Sequence, residues 1–162
     1  MILSSDVLER QFGPTKLEIL RQDDKERIIC TKVAASGQVL ELSKVVFRPE
    51  GIAAFPKIHQ EIVSGTSMGA AFAKAGVPFK RNVRGSYRYD DAPSSFVERF
   101  GMQGPPTVTN VSILVGSESI PYADILEIYS PRVVPWEPSS EQINPRVVTR
   151  INDFGATLAN IA

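Results

Sequence analysis

GTSMGAAFAKAG, residues Gly65 to Gly76, is the stretch whose reading decides the fold. Its first four letters are those in which one group of serine proteases carries the nucleophile. The same letters also suit the turn between two helices. A Ser-His-Asp site needs a histidine and an aspartate brought to the serine. The only histidine, His59, lies eight residues before Ser67 in a segment of helical spacing (Ile58, Ile62, Val63). Gly65 also lacks the lysine of a phosphate loop and follows a helical pattern rather than a strand. The stretch therefore reads as a turn with a cap: one helix ends at Gly65, and Thr66 or Ser67 caps a second running through Lys74 to Gly76.

Outward from this helix pair the chain alternates β-branched runs with turn signals. A short helix through Gln11 is closed by Gly13-Pro14, and LEILRQ follows as a strand. Arg27 to Ala34 and Val39 to Phe47 flank a hairpin turn at Ala35-Ser36-Gly37-Gln38. Pro49, Glu50 and Gly51 then break the sheet. Beyond the helix pair come a polar strand, Phe79 to Tyr89, a short helix, Ser94 to Phe100, and a hairpin of Val108 to Gly116 with Tyr122 to Ser130. Six strands arriving as hairpins with helices between them predict an α+β fold on one antiparallel sheet. A Pro-rich link, Pro131 to Pro138, leads to one amphipathic helix within Asn144 to Ala162. The expected organisation is a domain over residues 1–131 and a C-terminal extension over 132–162. That extension would pack on the same domain or on a partner.

Composition narrows the function classes. The 162 residues suffice for one core, and acids and bases balance at 18 each. Nothing in that balance draws the chain to nucleic acid or to a membrane surface. The run Lys80-Arg81-Asn82-Val83-Arg84 lacks interleaved aromatic residues and is a weak nucleic-acid signal. One cysteine, Cys30, permits no internal disulfide and, with one histidine, removes most metal-site designs. No apolar run approaches a membrane span, and MILSSDVLER has no basic leader, so a reduced, cytoplasmic setting is expected. No metal or cofactor is expected, and the chain is expected to be a monomer or homodimer.

Glu127 is the most informative single residue. In a strand, Ile125, Glu127 and Tyr129 share one face. A carboxylate there either sits at a wet edge or is half-buried with a raised pKa, able to donate a hydrogen bond or a proton. Arg27 shares a face with Ile29, Thr31 and Val33 and is either an exposed strand-end cation or an anion anchor. Arg81 and Lys44 are single strand cations, solvated or facing an anion. His59, beside Gln60 and Glu61, reads as a surface residue, and Cys30 as a small buried hydrophobe.

The segment FPKI…GTSMGAAF (Phe55 to Phe72) is similar to the paired helices of chorismate lyases, where a Gly-x-x-Pro-Leu-Gly turn joins them. Gly37-Gln38-Val39-Leu40…Lys44 upstream, Phe79-Lys80-Arg81 downstream and Asp124 to Pro131 at the end resemble other segments of that family. The likeness covers about Asp6 to Pro131. SSFVERFGMQGPPTVTNVSILV with YADILEIYSP also resembles the effector domains of UTRA-type transcription regulators, which share the fold. No helix-turn-helix segment precedes it, which weighs against a regulator. The first resemblance implies a lyase that eliminates pyruvate from chorismate to give 4-hydroxybenzoate. Arg27 would hold a substrate carboxylate and Glu127 would act on the departing ether oxygen, the pair facing each other across a closed pocket. Met68 and Gly69, on the lid turn, Leu8 from the opposite side, and Arg81 would complete the binding residues. Arg27 takes that role with a hairpin two residues longer than the family's, which preserves side-chain alternation. Ser67 stands where the family has proline. The second resemblance implies a non-catalytic protein that binds a small carboxylate-bearing molecule. A third reading is an enzyme of the same fold acting on another substrate.

Overall fold

Proline starts three of the six helices described, and β-branched runs make the strands. The computed structural model describes residues 4–138 and 142–161. In chain order the elements are α1 (Ser4–Phe12), β1 (Thr15–Gln22), β2 (Glu26–Val33), β3 (Val39–Phe47), α2 (Pro49–Ala54), α3 (Pro56–Val63), α4 (Met68–Lys74), β4 (Phe79–Arg88), α5 (Ser94–Phe100), β5 (Thr107–Val115), β6 (Ile120–Tyr129) and α6 (Pro145–Ala159). The strands form one six-stranded sheet in the order β1-β2-β3-β6-β5-β4, antiparallel throughout. The fold is thus α+β on a single antiparallel sheet.

Three prolines show how sequence sets the helix starts. Pro49, Pro56 and Pro145 each occupy the first turn of their helix, where a missing N–H leaves no intrahelical bond unmade. Pro49-Glu50-Gly51, expected only to break the sheet, instead opens α2. Gly51 lets that helix lie on β6: a Cβ there would stand 2.6 Å from the Tyr122 Cα. Gly65, at φ 118°, closes the α3 segment as expected. Ser67 occupies the N-cap position of α4 in extended conformation, but its side chain makes no capping bond.

Each face of the sheet is covered by helices. On the front, Ile62 of α3 with Ala71 and Phe72 of α4 packs on Val45, Phe47, Val111 and Ile113. On the back, Phe96 and Phe100 of α5 and Val147, Ile151, Phe154 and Leu158 of α6 pack on Ile28, Cys30, Leu42, Leu126 and Ile128. The C-terminal helix thus shares the core of the sheet. Asn144 caps it by accepting a bond from the Arg146 N–H at 2.8 Å. The link before it lies against the front end of the sheet. Gln11 exchanges two bonds with Val134, at 3.0 and 2.9 Å, and Trp136 stacks edge-on to Tyr129 at 4.8 Å.

His59 is a correction to the sequence reading. It is buried rather than superficial, its Nδ1 lies 2.7 Å from the Tyr122 hydroxyl, and its ring meets Phe47 edge-on. The cause is the position of α3, which lays this side chain on the aromatic cluster of the front core. Burial lowers its pKa. No described helix is long and apolar enough to cross a membrane.

Candidate functional site

The front face of β2, β3 and β6 is polar at its centre. Register places Val45 beside both Arg27 and Ile125, Ser43 beside Glu127, and Glu41 beside Tyr129. Strand alternation turns these side chains to the front while Ile28, Leu42 and Leu126 enter the back core. Above them the α3–α4 pair does not close fully on the sheet. The cavity left has a volume of about 180 Å³. That slightly exceeds the roughly 150 Å³ that accommodates a benzene ring.

Its walls include Arg27, Ile29, Glu41, Val45, Arg81, Ile125 and Glu127, and its lid supplies Ser67, Met68 and Gly69. Five of the residues singled out from sequence, Arg27, Met68, Gly69, Arg81 and Glu127, therefore meet at one cavity. Leu8 does not. It is fully buried with Leu40, Tyr129 and Val133 at the end of the sheet, because α1 turns that face inward. What α1 offers the cavity is Ser5. The pocket is also less closed than expected. Leu17 lines it while remaining 53% exposed, since β1 is an edge strand.

Arg27 is 2% exposed. Its Nε donates to Gln22 Oε1 at 2.6 Å and its Nη2 to the Ile62 carbonyl at the end of α3. Gln22 in turn donates to the Val63 carbonyl. Both Arg27 partners are neutral, and among the described residues it makes no ion pair. Burial pushes its pKa down. A guanidinium so placed is a cation in search of an anion.

Glu127 is 5% exposed and is not Arg27's partner. Register sets Arg27 level with Ile125, two strands across and two residues short of Glu127, about 12 Å between Cα positions on ideal sheet spacing. The cation at Glu127 is Arg81, reaching from β4, with the Tyr129 hydroxyl donating to the same oxygen at 2.8 Å. Arg81 is accordingly paired, not solvated. Its second arm holds Glu137, from the link after β6. Burial works against the Arg81 charge, but Glu127, Tyr129 and Glu137 together carry its pKa upward. Burial, then the neighbouring Glu41 carboxyl, raises Glu127 to about 8, against the pull of Arg81.

Glu41 and Glu137 escaped the sequence reading. Glu41 carried the signal that exposed Glu127, a carboxylate inside a β-branched strand. It is 6% exposed, and burial raises its pKa while the Ser43 and Tyr129 hydroxyls oppose the shift. Glu137 lies in a Pro-rich link and offered no periodic signal. Among the described residues, no group of three His, Cys, Asp or Glu side chains could hold a metal ion.

No protein-family model matches the chain, and no curated protein matches it. Solved structures do. The chain is similar to a possible transcriptional regulator, YydK, from Bacillus subtilis, at 9% identity and a TM-score of 0.50 over 79% of this chain. It spans 63% of the length of that structure. A GntR-family transcriptional regulator from Bacillus cereus matches at 10% identity and TM-score 0.47, covering 78% of this chain and 98% of that one. The ligand-binding domain of a proposed GntR-family regulator from Bordetella bronchiseptica matches at 10% identity and TM-score 0.44, covering 80% of this chain and 92% of that one. At such identities the first of these likenesses establishes a shared fold.

Proposed function

We propose that this chain binds a small carboxylate-bearing molecule in its front-face cavity, with Arg27 as the anion anchor. The observation that carries the reading is the Arg27 guanidinium, buried on the cavity wall with neutral partners only. A ligand carboxylate would supply the missing charge, and the planar fork of arginine suits it bidentately. The apolar wall of Ile29, Val45, Ile113 and Ile125 would hold the body of the ligand. The fold shared with a possible transcriptional regulator agrees with this reading.

The test is a titration of benzoate, a ring with one carboxylate, into the full chain, followed by protein NMR shifts. Benzoate is expected to perturb Arg27, Ile29 and Val45. Replacing Arg27 with Met removes a charge-assisted contact and is expected to weaken binding about 10- to 100-fold. Binding that ignores this substitution would reject Arg27 as the anchor.

A second reading is kept because Glu127 lines the same cavity with its pKa raised to about 8. In a chorismate–pyruvate lyase, Glu127 would give a proton or a hydrogen bond to the departing ether oxygen while Arg27 holds a substrate carboxylate. Aromatisation would drive the elimination. Against it, Arg81 and Tyr129 both favour the ionised form of Glu127. Incubation with chorismate decides between the readings. Pyruvate and 4-hydroxybenzoate formed by wild type and lost in Glu127→Gln would establish the lyase; no product would leave the binding reading.

A further inference from the structure

The two carboxyls on the cavity floor are not equivalent. Glu127 faces the Arg81 guanidinium and accepts the Tyr129 hydroxyl. Glu41 has no cation within ion-pair distance among the described residues. Its Oε1 accepts the Ser43 hydroxyl at 2.7 Å, and its Oε2 is buried with no partner. The groups facing Glu41 are Ser43 on its own strand, Glu127 and Tyr129 on β6, Arg81 on β4, and Glu137 from the link. Arg81 is the single cation among them, and both its arms are already engaged by Glu127 and Glu137. Two neighbouring carboxyls in an apolar enclosure cannot both ionise without a second cation. Glu41 has no cation of its own, and only the Ser43 and Tyr129 hydroxyls and an already engaged Arg81 favour its charge, so of the two carboxyls it is the last to give up its proton. Oε1 already accepts a bond, so the proton sits on Oε2. The last torsion of glutamate is broad, and a small turn presents this O–H to the cavity that Glu41 lines.

A buried O–H without an acceptor is a costly group to leave unpaired. Arg27 lies one strand across and four residues along, about 14 Å between Cα positions, with Ile29, Val45 and Ile125 between. The cavity is thus bipolar: a cation at one end, an apolar middle, and a neutral hydrogen-bond donor at the other. We propose that the ligand is a monoanion whose apolar body ends in an uncharged acceptor such as a carbonyl oxygen, and that Glu41 receives this acceptor with its carboxyl proton. The inference rests on the binding reading above and adds to it the second recognition point. A dianion is disfavoured, because its second charge would meet Glu41, Glu127 and Glu137.

The experiment compares benzoate, 4-acetylbenzoate and terephthalate on the full chain by NMR titration, at about pH 6 and about pH 9. The acetyl carbonyl is expected to improve affinity about fivefold over benzoate at the lower pH, as one net hydrogen bond allows. Terephthalate should bind more weakly than benzoate. The acetyl advantage should vanish in Glu41→Leu, and should decline in wild type with rising pH as Glu41 gives up its proton. Glu41→Gln, whose amide N–H donates at any pH, should keep the advantage at both. If none of the three binds, the binding reading falls and this inference with it. If benzoate binds through Arg27 but the acetyl group confers nothing, or its advantage survives in Glu41→Leu, the Glu41 role is overturned while the binding reading stands. Should the Leu variant not fold, the contrast in pH dependence between wild type and Glu41→Gln decides: equal dependence overturns the proposal.

Discussion

Strand β6 is buried on both sides, yet its two sets of side chains have different surroundings. Leu126 and Ile128 point back into an apolar core closed by α5 and α6. Ile125, Glu127 and Tyr129 point forward to a floor where carboxyls, hydroxyls and a guanidinium are enclosed with little access to water. The back is filled by large side chains of a 15-residue helix, among them Phe154 and Ile151. The front lies under three short helices whose apolar contacts gather on Phe72 and Ile62, leaving a gap beside them. Stability is thus concentrated behind the sheet, and chemistry in front of it. A face that keeps such a gap is not packed to crystal-like density, which is what the proposed ligand site requires.

The sharpest way to break that division is to open a hole on the back. Phe154 is fully buried and meets Phe96 edge-on at 5.4 Å. Phe154→Ala should lower unfolding stability by about 3–5 kcal/mol in denaturant titration, through lost burial and the cavity left behind. A loss below about 1 kcal/mol would mean that α6 is not part of the core.

The front face should respond to charge rather than to volume. Arg81→Met leaves Glu127 buried without its cation, and about 3 kcal/mol of stability should go at alkaline pH. The sign follows from proton uptake. Glu127 titrates near 8 in the folded chain, above its ordinary value of 4.5. Wild-type stability from this group is therefore complete below about pH 4.5 and declines as pH rises through about 8. Without Arg81 the carboxyl is harder to ionise still. The deficit of the variant should be small at about pH 5 and largest at about pH 9. Unfolding curves at the two pH values measure it directly, and a deficit independent of pH would show that the floor carries no exchangeable proton.

The same contrast explains what could be read from the letters. The six strands follow from β-branched runs bounded by turn signals, and one antiparallel sheet from their arrival as hairpins. Helices starting at Pro56 and Ser94, and the turn at Gly65, likewise rest on local chemistry. Alternation also put Arg27 and Glu127 on one face. It could not say which cation serves which carboxylate, because that depends on strand order. Arg81 reaches Glu127 only because β4 and β5 lie beside β6. Glu41 was legible by the rule that singled out Glu127, whereas Glu137 was not, since an irregular link has no period. The burial of His59 depends on where α3 lands, a tertiary matter beyond any pattern of its neighbours. Leu8 sits on the correct segment, but the helix it belongs to turns it into the core.

The smallest expected effect lies in the lid turn itself. Ser67 is exposed, has φ −63°, and precedes α4 in extended conformation. That φ is the one proline adopts, and a ring at this site displaces no capping bond, because the serine side chain makes none. Among the described residues its N–H has no backbone partner to lose. Thr66, before it, lies outside the helices, so it need not adopt the conformation that proline disfavours in its predecessor. Ser67→Pro should therefore stabilise the chain by about 0.4–1 kcal/mol, acting by restricting the unfolded state. Because Ser67, Met68 and Gly69 lie on the cavity, the stiffer turn should also slow amide hydrogen exchange in the first turn of α4 and leave α6 untouched. A loss of stability, or protection changing equally in both helices, would show that the lid and the back core move as one body and that the two faces are not independent.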